Sequence, residues 1–134
     1  MFIIYQDDFF TSPQLDYIKA TAAESYVPGE LLKLTDGKVT KASGTDDALY
    51  ISNGVLSNAA EDALLQVIRL HSNHKLKTTL SADGASLKVG DKVTISSDGL
   101  EATATTGGTL EIAEIMDTAV GGAVIVRVTE KESA

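Results

Sequence analysis

Apolar and polar residues alternate in short runs along most of this chain. Leu32, Leu34 and Val39 lie among Lys33, Thr35, Lys38 and Lys41 on either side of Asp36-Gly37. A period of two puts the apolar side chains on one face of a strand pair and the polar ones on the other. Val93 and Ile95 alternate with Lys92, Thr94 and Ser96, and the stretch after Asp98-Gly99 returns with Thr and Ala. Asp-Gly suits the positive φ angles of a type I′ turn, so Asp36-Gly37, Asp83-Gly84 and Asp98-Gly99 are candidate turns. The middle pair joins residues 76–80 to residues 87–89, with a weaker period.

Apolar runs at residues 48–51, 63–70, 110–115 and 123–128 bring the expectation to about eight or nine short strands, the spacing of a small all-β domain. Helix signals are confined to two places. Ser12-Pro13 reads as a cap and first turn, with Leu15, Ile18 and Ala22 on one face as far as Ala23. Residues 57–65 read as a second, shorter helix, although the run 64–68 reads equally well as a buried strand. The stretch from Gly29 overlies the stretch from Gly90: Asp36-Gly37 meets Asp98-Gly99 with one residue of slippage, and Leu49 and Ile51 meet Leu110 and Ile112. The run ending at Leu70 likewise resembles the run ending at Val128, which favours a strand for 63–70. The expected fold is mainly β: a small β-barrel or β-sandwich of two similar meander halves, with one or two short helices and an N-terminal arm. The arm is 1–12, the single β-rich domain 13–134, and the internal repeat 29–70 and 90–128.

Composition narrows the chemistry. The 134 residues carry 19 acidic and 11 basic side chains, for a net charge of −8. That balance repels a phosphate backbone, so no nucleic acid partner is expected. The absence of cysteine removes disulfides, thiolate metal sites and thiol nucleophiles. Residues 119–126, the longest apolar stretch near the C-terminus, fall far short of the roughly 20 needed to cross a bilayer, so no membrane partner is expected either. Met1-Phe2-Ile3-Ile4-Tyr5 runs at once into Asp7 and Asp8, without the basic front of a secretory signal.

Candidate catalytic groups are few. His71 and His74 are the only histidines; on a helix their spacing would offer two imidazoles to one metal, but Ser72-Asn73 between them reads as a turn and leaves them as solvated loop residues. Asp7-Asp8, Asp46-Asp47 and Glu61-Asp62 read as solvated loop acids, because adjacent residues on a strand face opposite ways. No nucleophile elbow, phosphate loop or dinucleotide fingerprint is present. The chain is therefore read as no enzyme, with no cofactor and no metal. The richest segment is the front, where Phe2, Ile3, Ile4, Tyr5, Phe9 and Phe10 precede the first turn signal. Such an arm either packs as a strand of its own domain or adds to the sheet of a partner, and these six residues are the candidate contacts with a partner or neighbouring subunit.

Tyr26-Val27-Pro28-Gly29-Glu30-Leu31, with Asp36-Gly37, Ala42, Gly44-Thr45 and Leu49-Tyr50-Ile51-Ser52, resembles the lambda-type phage head decoration proteins. Leu87-Lys88-Val89-Gly90-Asp91-Lys92-Val93, with Gly99, Ile112, Ala113 and residues 122–128, is similar to capsid-stabilising β-barrels of phages. The resemblance implies a decoration, or cement, protein that binds the major capsid protein on the outer surface of the virion. It also implies a homotrimer assembled in the host cytoplasm, with no catalytic residues. Alternatives within the virion are a head-fibre base or a tail-associated β-domain. Lys38, just after Asp36-Gly37, also invites comparison with lipoyl and biotinyl carrier domains. It lacks the flanking pair of apolar or Met neighbours usual there, since Gly37 precedes it, and its repeat counterpart is Leu100.

Overall fold

The computed structural model describes residues 1–7, 15–71 and 74–129, the side chains of residues 5–7 excepted. These residues form eleven strands: β1 (Ile3–Asp7), β2 (Leu15–Lys19), β3 (Leu31–Thr35), β4 (Lys38–Lys41), β5 (Tyr50–Ser52), β6 (Leu64–Arg69), β7 (His74–Thr79), β8 (Lys92–Ile95), β9 (Ala102–Thr106), β10 (Leu110–Ile115) and β11 (Ala123–Val128). They make two antiparallel sheets, a six-stranded one in the order β1-β7-β11-β10-β8-β9 and a five-stranded one in the order β2-β6-β5-β3-β4. The sheets stack as a sandwich and do not close into a barrel.

Both expected helices are corrected to other structure. Residues 15–19 form β2, paired residue by residue with β6 from Leu15↔Ile68 to Lys19↔Leu64. Tyr17 and Ile18 suit a pleated surface, and five cross-strand pairs outweigh a local helix signal whose cap, Ser12-Pro13, lies outside the described residues. Residues 57–63 are turns in which Asn58 and Asp62 take φ of 48° and 63°, a left-handed geometry that interrupts any helix. The three Asp-Gly pairs also part company. Asp36 and Gly37 both have positive φ and join β3 to β4 as a two-residue hairpin. At Asp98-Gly99 only the glycine is left-handed, and the β8–β9 loop runs from Ser96 to Glu101. Asp83-Gly84 joins no hairpin, because β7 and β8 are not neighbours and residues 87–89 form no strand.

The two sheets share one topology. Taking β2 to β6 and β7 to β11 as successive sets of five, each runs first-fifth-fourth-second-third across its sheet, and β1 is the extra strand, laid against β7. Hydrogen bonds repeat with the strands. Gly29 N–H donates to Ser52 O at 2.9 Å as Gly90 N–H donates to Ile112 O at 2.8 Å. Ala20 N–H meets Ala63 O at 2.8 Å, and Leu80 N–H meets Gly122 O at 2.9 Å. Leu70 N–H donates to Leu49 O, and Thr129 N–H to Thr109 O. Even the single parallel bridges correspond, Ala20↔Val39 and Leu80↔Ala102. These bonds place Ser52, not Ile51, on Ile112, and Leu70 on Thr129 rather than Val128. The apolar match is therefore one residue out of register. Tyr50 and Ile51 are both buried, one on each face of the sheet, so hydrophobicity alone does not distinguish a one-residue slip there.

The middle of the five-stranded sheet is buried on both faces. Leu31 and Ile51 project into the larger core beside Phe2, Leu76, Val93, Leu110, Val124 and Val126. Leu32, Tyr50, Leu65 and Val67 project the other way, into a second core closed by Ala20, Tyr26 and Ala59 from the connecting loops. Tyr26 anchors that second core: its hydroxyl donates to Val39 O at 2.9 Å and accepts from Thr21 N–H at 3.0 Å. Burial pushes its phenol above the usual range, because the charged form is the one that loses water.

Candidate functional site

The front of the chain is committed first to its own fold. Phe2 is 1% exposed within the larger core, and its N–H donates to Gly29 O at 3.0 Å. From there β1 runs antiparallel along β7, with Ile3↔Lys77, Ile4↔Leu76 and Asp7↔His74 in register. Ile4 packs against the same core. Gly29 is needed here: its φ is +88°, and a side chain in its place would run into Met1 and Phe2 O. Of the six arm residues expected at a partner, Phe2 and Ile4 are thus corrected to internal packing, because burying them satisfies their apolar surface within the chain. Ile3 stays 52% exposed. Tyr5 lies on β1, its side chain outside the described set, and Phe9 and Phe10 lie outside the described residues.

A second apolar region lies next to this strand, and the sequence reading missed it. Leu15 and Tyr17 of β2 stand opposite Ile68 and Gln66 of β6, and Lys19 stands opposite Leu64. Residues paired across a ladder share a face, so Leu15, Tyr17, Leu64 and Ile68 form one patch. Leu15, Tyr17 and Leu64 are exposed large apolar side chains. Ile68 continues the patch into a groove of about 210 Å³, walled also by Met1, Phe2, Ile3, Ile4, Pro28 and Ile51. The apolar surface therefore runs from the exposed side of β1, across the groove, to the outer corner of β2 and β6. Polar contacts hold its rim: Gln66 Nε2–H donates to the Tyr17 hydroxyl at 2.8 Å, and Lys19 lies 3.4 Å from Asp62. Both partners of that ion pair are exposed, so it contributes little to stability.

The remaining candidates fall apart spatially or serve as local braces. His74 is buried, a correction to its reading as a solvated loop residue, because it opens β7 and faces into the sandwich. His71 N–H donates to His74 Nδ1 at 3.3 Å. Among the described residues no three His, Asp or Glu side chains gather where they would hold a metal ion. Lys38 lies 3.1 Å from Glu61, a hydrogen-bonded ion pair that raises the ammonium above its usual value. It opens β4 directly after the hairpin turn, with its ammonium held against the turns at 57–63. Asp46 accepts from Ser43 N–H and pairs with Lys33 at 3.0 Å. Glu30, 2% exposed, accepts from Val27 N–H and lies 3.4 Å from Lys41 Nζ. Its counterpart Asp91 closes the same turn in the other half, accepting from Lys88 N–H at 2.9 Å. No protein-family model matches the chain, and no curated protein matches it.

Proposed function

We propose that this chain is a phage capsid decoration protein, a non-catalytic brace that binds the outer surface of the major capsid protein lattice and works as a homotrimer. The observation that carries this reading is the apolar patch of Leu15, Tyr17, Leu64 and Ile3 on a chain of net charge −8. An acidic protein gains nothing from contiguous exposed apolar surface in water, whereas an adhesive protein uses it. The sequence resemblance supports the same reading. Its two motifs fall on equivalent turns, 27–30 and 88–91, each closed by an acidic side chain on the backbone N–H three residues earlier. With Phe2 and Ile4 occupied internally, the contact falls on Ile3 and the β2–β6 corner. A trimer engages several capsid subunits at once, so modest single contacts add through effective concentration.

The test is co-sedimentation with expanded phage heads that lack decoration. The expected result is saturable binding in a fixed ratio to the capsid subunit, with a rise in head thermostability. Binding that never saturates, or heads that melt unchanged at saturation, would overturn the proposal.

A further inference from the structure

The shared topology exposes a difference between the halves. In the second half, β1 covers the outer edge of β7 through Ile3↔Lys77 and its neighbours. In the first half, the corresponding strand is β2, because Ala20 and Thr21 bond as Leu80 and Ser81 do. Among the described residues β4 touches the outer edge of β2 only at its end, through Ala20↔Val39, and no strand pairs along it before that. Ala20 N–H points to Ala63, whereas Thr21 N–H points the other way, to Val39. Backbone groups alternate along an antiparallel strand. The N–H groups of Leu15, Tyr17 and Lys19 and the C=O groups of Leu15 and Tyr17 therefore face outward, as those of Lys75 and Lys77 face β1, while the C=O of Lys19 faces Val39 of β4.

Building on the decoration reading, we infer that the outer edge of β2 accepts an extended strand of the partner protein, filling in the first half the place that β1 fills in the second. An uncovered edge is a template for main-chain hydrogen bonds, and alternate side chains of an added strand give the selectivity. Here the added strand lays apolar residues beside Leu15 and Tyr17. Asp16, on the edge strand itself, has no ionic partner among the described residues, and it selects a basic residue opposite.

The experiment needs no phage heads. The full chain is used to select from a displayed library of short random peptides. The binders are then measured against Tyr17→Pro, which removes one outward N–H and leaves the β6 ladder intact, and against Tyr17→Thr, which keeps it. The expected binders alternate apolar residues, carry a basic one, and bind Tyr17→Pro about tenfold more weakly than Tyr17→Thr. Amide exchange on the unsubstituted chain gives an independent reading, with new protection expected at Leu15, Tyr17 and Lys19 when peptide is bound. Failure to select any binder, equal affinity for the two variants, or protection elsewhere would overturn the inference. So would a dimer in sedimentation equilibrium that Tyr17→Pro dissociates, which would give the edge to a second copy. Edge-specific peptides without head binding would sink the decoration reading alone.

Discussion

Phe2→Ala separates a front strand that belongs to the fold from an arm held ready for a partner. The ring is 1% exposed and sits in the larger core with Leu31, Ile51 and Leu76. Truncating a buried phenylalanine to alanine costs about 3–5 kcal/mol, the transfer of the ring plus the cavity left behind. The lower end applies here, because β1 is an edge strand bonded only to β7 and can shift to relieve part of the cavity. The expected loss is therefore about 3 kcal/mol. Ile3→Ala, one residue on, removes a side chain that is 52% exposed and should cost within about 0.5 kcal/mol. Equilibrium unfolding in urea measures both, provided that the slope with denaturant is unchanged, so that the midpoint shift reports stability. If Phe2→Ala were no more costly than Ile3→Ala, the ring would not be a core residue and the arm would again be free to reach a neighbour.

Four further outcomes are expected. Tyr26→Phe should cost about 1 kcal/mol and no more, because Thr21 N–H and Val39 O remain bonded to each other at 3.2 Å after the hydroxyl is gone; a thermal melt checks it. The same tyrosine's raised value means that its stabilisation is complete below its unfolded value near 10 and is lost as pH rises through the higher folded value. Stability curves taken upward from neutral pH should therefore fall less steeply for Tyr26→Phe. Asp98 is held below the usual carboxylate range first by the Ser96 hydroxyl, at 2.6 Å. Its contribution is present above the unfolded value and disappears as pH falls through the folded one, so Asp98→Asn should flatten the acid limb of the stability profile. Gly29→Ala should destabilise more than Gly37→Ala, since both are left-handed but only Gly29 has neighbours where a side chain would go; parallel melts of the two variants test this.

Much of the strand pattern was readable directly. Residues 110–115 and 123–128 are apolar runs that became β10 and β11 with the same bounds, and Asp36-Gly37 marked a true type I′ hairpin through its two positive φ angles. The failures have physical causes. Ser12-Pro13 with Leu15, Ile18 and Ala22 satisfies a helix rule locally, while the strand alternation begun by Leu15-Asp16-Tyr17 breaks at Ile18. Only the pairing with β6, about fifty residues distant in sequence, decides between them. Asp83-Gly84 has turn residues without a hairpin because its flanking segments have no strand to pair with each other.

The candidate site was less readable, for a reason that follows from what a sheet edge is. An edge offers backbone groups, which every residue carries alike, so no side-chain pattern in residues 15–19 announces one. The front segment drew attention instead because its bulk is visible in one-letter code, yet Phe2 and Ile4 find their partner inside the chain, on β7 and the core behind it. The better clue lay in the repeat. Carrying its match upstream from Gly29 and Gly90, with one residue of slippage, brings Ala20 onto Leu80 and β2 onto β7. That extension would have turned the expected helix into a strand. It also shows that, among the described residues, β7 has a covering strand that β2 lacks, so the proposed docking edge is visible only as a broken symmetry between the halves.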